Sequence, residues 1–101
     1  MRMLLRVKLD VEAGNAAIKN NRLHELMQSK LRELKPEAAY FFADHGTRTA
    51  NIFFDLKDTA LMPSIAEPFF QTLNATVEFI PVMNAEDLRA GLDQVKENQT
   101  A

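Results

Sequence analysis

Pro36-Glu-Ala-Ala-Tyr-Phe-Phe-Ala-Asp-His-Gly-Thr-Arg-Thr-Ala-Asn-Ile-Phe-Phe-Asp55 reads as a β-hairpin. Its arms, Ala38–Asp44 and Arg48–Leu56, are rich in aromatic and β-branched residues and flank the tight turn Asp44-His45-Gly46-Thr47. Gly46 supplies a positive φ without steric penalty, and His45 tolerates one. Pro36 closes the segment before it and starts the first arm. On each side of the hairpin lies a helical stretch and then a strand. The order strand-helix-strand-strand-helix-strand predicts an α+β sandwich, a four-stranded sheet with both helices on one face. Function does not follow from it, because one such fold serves many chemistries.

Upstream, Met3–Asp10 alternates Met3, Leu5, Val7, Leu9 against Leu4, Arg6, Lys8, Asp10, the period of a strand. Leu23, Leu26, Met27, Leu31 and Leu34 form a helical stripe. Ile18 is out of phase with it, so Asn20-Asn21 marks a break, with Asn15 as a cap for the short piece before. Lys30 lies inside the apolar arc, its stem expected to pack while the ammonium reaches water.

Downstream, Asp58 or Thr59 caps a helix that runs through Asn74, with Leu61, Ile65, Phe69 and Leu73 as its stripe. Pro63 suits a first turn. Pro68 withholds an amide from Ser64 and is expected to kink or split the helix. Ala75–Val82 is the fourth strand. A third helix follows, with Asn84 as N-cap, Glu86 and Asp87 in the acidic first turn, and Leu88, Leu92 and Val95 as a narrow stripe. Asn98–Ala101 is expected to fray.

The 101 residues correspond to one domain, residues 1–101, able to bury roughly 60–70% of the extended chain's surface. Apolar residues at 47% and charged ones at 26% are the proportions of a globular protein without disordered bias. No apolar run approaches the roughly 20 residues of a membrane span. Arg6, Lys8 and Asp10 interrupt the start too early for a signal sequence, so a cytoplasmic location is the expectation. With no cysteine there is neither a disulfide nor a thiol nucleophile. His24 and His45, the two histidines, read as a surface helix residue and a turn residue, and no metal site is expected. Three scattered glycines make no phosphate loop, and no serine stands in a Gly-x-Ser-x-Gly elbow. A net charge of −2 argues against nucleic acid. The third strand also lacks the basic-glycine start and alternating exposed aromatics of an RNA-recognition sheet.

Alternation assigns the faces. Leu5, Val7, Leu9, Ile52, Phe54, Val77 and Phe79 point to the helices, joined by Ala39, Phe41 and Ala43 if the hairpin loop is even. The opposite face then carries Leu4, Arg6, Lys8, Tyr40, Phe42, Asn51, Phe53, Asp55, Glu78 and Ile80. An odd loop would exchange Tyr40 and Phe42 for Phe41. This second face is too aromatic to be left wet and too charged for an ordinary core. A homodimer in which two such faces meet satisfies both constraints. The third helix would then cover an edge or reach across to the other subunit.

The stretches Met3-Leu4-Leu5-Arg6-Val7, Leu34-Lys35-Pro36-Glu37-Ala38-Ala39-Tyr40-Phe41, Ile65-Ala66-Glu67-Pro68-Phe69-Phe70 and Val77-Glu78-Phe79-Ile80-Pro81-Val82-Met83 resemble a bacterial family of short ferredoxin-like proteins of unassigned function. The resemblance covers nearly the whole chain. It implies a ferredoxin-like βαββαβ half-barrel with a C-terminal helix, similar to the dimeric α+β barrel superfamily, whose members pair with themselves. That superfamily includes monooxygenases, isomerases, haem-degrading enzymes and binders, so no single activity is implied. Some relatives carry the label pantothenate synthetase. True members of that class bind ATP through a His-x-Gly-His motif and are much longer. Here the only His-Gly, His45-Gly46, sits in the hairpin turn, which does not support the label.

The candidate ligand-binding residues are Arg6, Tyr40, Phe42, Asn51, Phe53 and Glu78. The aromatics would stack on a planar or partly apolar metabolite, while Arg6 and Asn51 orient a carbonyl or carboxylate. Glu78, placed against Phe and Ile, could shuttle a proton. The leading expectation is a homodimeric small-molecule-binding protein without cofactor or metal. The alternative is a cofactor-free enzyme, a monooxygenase or an acid/base isomerase using Glu78, His45 or Tyr40. Plainer readings make Arg6 and Glu78 partners in a dimer interface, or the chain a structural module docking through its last helix.

Overall fold

The computed structural model describes residues 1–100, and their order is that of a ferredoxin-like α+β fold whose first crossover is split into two helices and whose last strand is followed by another helix. Strand β1 (Arg2–Lys8) leads into helices α1 (Val11–Lys19) and α2 (Arg22–Leu34). The hairpin β2 (Ala38–Asp44) and β3 (Thr47–Asp55) follows. A 3₁₀ turn (Thr59–Leu61) then opens α3 (Met62–Leu73), and β4 (Thr76–Pro81) and α4 (Ala85–Thr100) complete the order. The sheet is antiparallel throughout, in the order β2-β3-β1-β4.

Asp44 pairs with Thr47, so the hairpin loop is the two residues His45 and Gly46, with φ of 51° and 79°. That even loop sets the faces as the alternation requires. On the helix side Leu5, Val7, Ile52, Phe69 and Leu73 are fully buried, each burial contributing about 1.5–3 kcal/mol. Leu23, Leu26, Met27, Leu31 and Leu34 pack half-buried against this core, as their stripe predicts. Phe41 and Ala43 point the same way but lie on edge strand β2, and both remain exposed.

The break at Asn20-Asn21 is realised, with Asn21 at φ 63°, a left-handed conformation that asparagine accepts more readily than most residues. Three expectations for this region need correction. Asp10 leaves the strand, and its carboxylate caps α1 by accepting from the Ala13 amide at 2.9 Å. Asn15 is therefore mid-helix rather than a cap, and its side-chain oxygen accepts from Arg48 at 2.9 Å. The Lys30 side chain is 6% exposed, and its ammonium is held by Glu33 at 2.9 Å and the Ser64 carbonyl at 3.3 Å.

Pro68 does not split α3, which runs from Met62 to Leu73 as one element. Asp58 caps the preceding 3₁₀ turn, and Asn74, at φ 48°, ends α3. Helix α4 extends past Asn98 to Thr100. Ala101, part of the stretch expected to fray, lies outside the described residues.

Candidate functional site

Strand pairing brings Tyr40, Asn51, Arg6 and Glu78 into one row straight across the four strands, on the face away from the helices. Phe53 belongs to the next row, with Ala38, Leu4 and Ile80, and Phe42 to the row on the other side, with Thr49, Lys8 and Thr76. All six sequence-predicted site residues therefore share one patch of sheet. Two neighbours at 4.8 Å strand spacing are close enough for side chains to meet, and here four strands contribute in register.

The patch has an exposed aromatic rim and a charged centre. Tyr40 is 64% exposed, Phe42 42% and Ile80 38%, high values for residues of this size. Arg6 is only 28% exposed. It is ion-paired to Asp44, lies 3.8 Å from Glu78, and its guanidinium stands 6.0 Å from the centre of the Phe42 ring. Lys8 reaches the same Asp44 carboxylate at 3.5 Å, and His45 Nδ1 lies 2.9 Å from its other oxygen. Partial burial pushes the Asp44 carboxyl up, but Lys8, the His45 contact and Arg6 together hold it below the ordinary range.

Asn51, at the centre of the row, has a side-chain oxygen that is buried and accepts no hydrogen bond. Buried acceptors are nearly always satisfied, so this atom stands out. Glu78 is more open than its apolar neighbours suggested, its side chain being 55% exposed. The desolvated proton carrier imagined at that position is absent from the single chain.

Beyond the six candidates, the charged residues Lys8, Asp44, Asp55 and Arg2 share the alternation of this face. Asp44 opens the hairpin turn, and its parity with Tyr40 and Phe42 places it on this face. Lys8 joins the site through its contact with Asp44. Arg2 ion-pairs with both Glu37, at 2.6 Å, and Asp87 of α4, which ties the start of the last helix to the foot of the patch. Beside that tie is a hollow of about 330 Å³ lined by Arg2, Ala38, Phe53, Val82 and Met83. A second, more apolar hollow of about 360 Å³ runs along the β2 edge between Phe41, Phe42, Leu23 and Met27.

His24 is exposed on α2, and His45 is 91% exposed in its turn. Among the described residues no group of three His, Cys, Asp or Glu side chains could hold a metal ion. No helix among them is long and apolar enough to cross a membrane. Chemically, the patch offers flat aromatic area, a guanidinium already compensated by two carboxylates, and one unsatisfied amide oxygen. Such a set can stack against a flat surface and accept one hydrogen bond. No protein-family model, curated protein or solved structure matches this chain.

Proposed function

We propose that this protein binds a small planar or partly apolar molecule as a homodimer, with two open sheet faces enclosing the ligand between them. One observation carries the reading: an aromatic rim, exposed at Tyr40 and Phe42 and half-buried at Phe53, surrounds a charged row whose central Asn51 oxygen lacks a partner. A wet aromatic face of this kind is unfavourable in a lone chain, and a cover removes it from water. Two copies of the same face are self-complementary under a two-fold axis, each offering Arg6 and Lys8 beside Asp44 and Glu78. In the ligand complex Tyr40 and Phe53 would stack on the ring. Arg6 and Asn51 would meet its carboxylate or donor group.

Native mass spectrometry of the gently purified protein tests this. The expected result is a dimer carrying additional small-molecule mass, which Tyr40→Ala and Phe53→Ala reduce. A monomer, or a dimer whose mass is accounted for by two chains in parent and variants alike, overturns the reading.

A further inference from the structure

Among the described residues, no helix or strand packs against the apolar stripe of helix α4. Leu88, Leu92 and Val95 are 48%, 57% and 50% exposed, and every residue from Met83 to Gln99 is exposed. The chain is drawn out to 60 × 29 × 18 Å with a radius of gyration of 16.6 Å, against about 13 Å for a compact domain of this length. A 16-residue helix with a glycine in it is marginal in water by itself.

The start of the arm is nonetheless firmly set. Asn84 and Asp87 cap each other's amides at 2.8 and 3.2 Å, the Val82 amide donates to the Arg2 carbonyl at 3.2 Å, and Asp87 ion-pairs with Arg2. Arg2 shares the alternation of Arg6 and Lys8, so α4 leaves from the side of the open sheet face.

The apolar pattern on α4 names its partner type. Ala85, Leu88, Leu92 and Val95 follow one another at spacings of three and four, the a and d positions of two heptads, with the polar Gln99 next in phase. A stripe confined to a and d is the seam of a two-helix coiled coil, narrower than the face a helix turns to a globular core. The e positions are Arg89 and Lys96, and the g positions are Gly91 and Asn98. An antiparallel pair would set Arg89 against Lys96 of the second copy, two cations facing each other. In a parallel pair each e cation faces a neutral g residue, so charge selects the parallel arrangement.

Area points the same way. Four strands at about 4.8 Å spacing and about 20 Å long give a flat footprint of about 400 Å². A stable interface takes about 800 Å² of accessible surface from each partner. Side-chain relief narrows that gap, and a seam about 24 Å long narrows it further.

We infer that the α4 helices of two copies pair in parallel through Leu88, Leu92 and Val95, zipping the dimer beside the stacked sheets. Two heptads are too short to hold alone, so this rests on the homodimer of the proposed function. It also requires the two-fold axis to run along the strands, because only then do both arms leave from the same end.

The chain lacks cysteine, which makes cross-linking unambiguous. Leu88→Cys, Leu92→Cys, Val95→Cys and the outward-facing Ala90→Cys are each made singly, oxidised mildly and run on a non-reducing gel, beside native mass spectrometry of the parent. The pairing predicts a parental dimer in which each of the three seam variants gives at least tenfold more linked dimer than Ala90→Cys. A dimer whose seam variants link no more than Ala90→Cys overturns the arm pairing and leaves the dimer standing. Linking at Leu92→Cys alone signals antiparallel helices and overturns it too. A parental monomer overturns both. Leu92→Asp, at an exposed position that leaves the fold intact by circular dichroism, should raise the dimer dissociation constant at least tenfold.

Discussion

Lys30 supplies the hydrogen bond that Pro68 withholds. In α3 the Ser64 carbonyl would accept from the amide of residue 68, and proline has none. The Lys30 ammonium, arriving from α2, donates to that carbonyl at 3.3 Å and to Glu33 at 2.9 Å. An almost fully buried lysine and an internal helix proline thus compensate each other.

Lys30→Met, which keeps the packed stem, should therefore cost about 1 kcal/mol, the net value of a hydrogen bond. In a Pro68→Ala background the alanine amide serves Ser64 instead, and the same substitution should cost less than half as much. Urea unfolding of the parent, both single variants and the double variant measures the coupling. Equal costs in the two backgrounds would show that the two residues act independently.

Phe54 and Phe41 point to the same side of the sheet, yet Phe54 is 2% exposed and Phe41 57%. Phe54→Ala should lose about 3–5 kcal/mol, enough to leave a small domain close to unfolding. Phe41→Ser should shift folding stability by less than about 1 kcal/mol. Denaturant midpoints of the two variants at equal chain concentration make the comparison, and a Phe41→Ser loss as large as that of Phe54→Ala would mean that Phe41 is covered in solution.

Asp55 bonds to Lys57 and to the N-terminal ammonium, each at 2.6 Å, and these contacts lower its pKa to about 2. A carboxylate whose pKa is depressed in the folded state stabilises the fold above the unfolded value of about 3.9. That contribution is lost as pH falls through the folded value. Between pH 4 and pH 2 the parent should therefore lose more stability than Asp55→Asn, which has no such proton to take up. Lys57→Met should raise the Asp55 pKa, readable by carboxyl carbon NMR titration. A titration midpoint unchanged by Lys57→Met would remove Lys57 as the cause.

Local chemistry was enough for the elements and their facing. The Asp-His-Gly-Thr turn admits a two-residue loop, and that even count carries Tyr40 and Phe42 to one side and Phe41 to the other. Period-two alternation then places Arg6, Asn51, Phe53 and Glu78 with them, and the helix stripes identify the core. All of this follows from short-range geometry, which one chain segment contains in full.

Neighbourhood was beyond such reasoning, because periodicity gives a direction without saying what stands there. Phe41 faces the helices from an edge strand that they leave uncovered, while Phe54 faces them from the middle. Lys30 finds the carbonyl of a residue 34 positions away. Asp44 gathers Arg6 and Lys8, and the Asn51 oxygen is enclosed without a donor, only once β1 lies beside β3. The stripe on α4 was legible as a stripe. Only the tertiary structure shows that Leu88, Leu92 and Val95 stay exposed among the described residues, since burial depends on the packing of distant segments and not on the spacing of leucines.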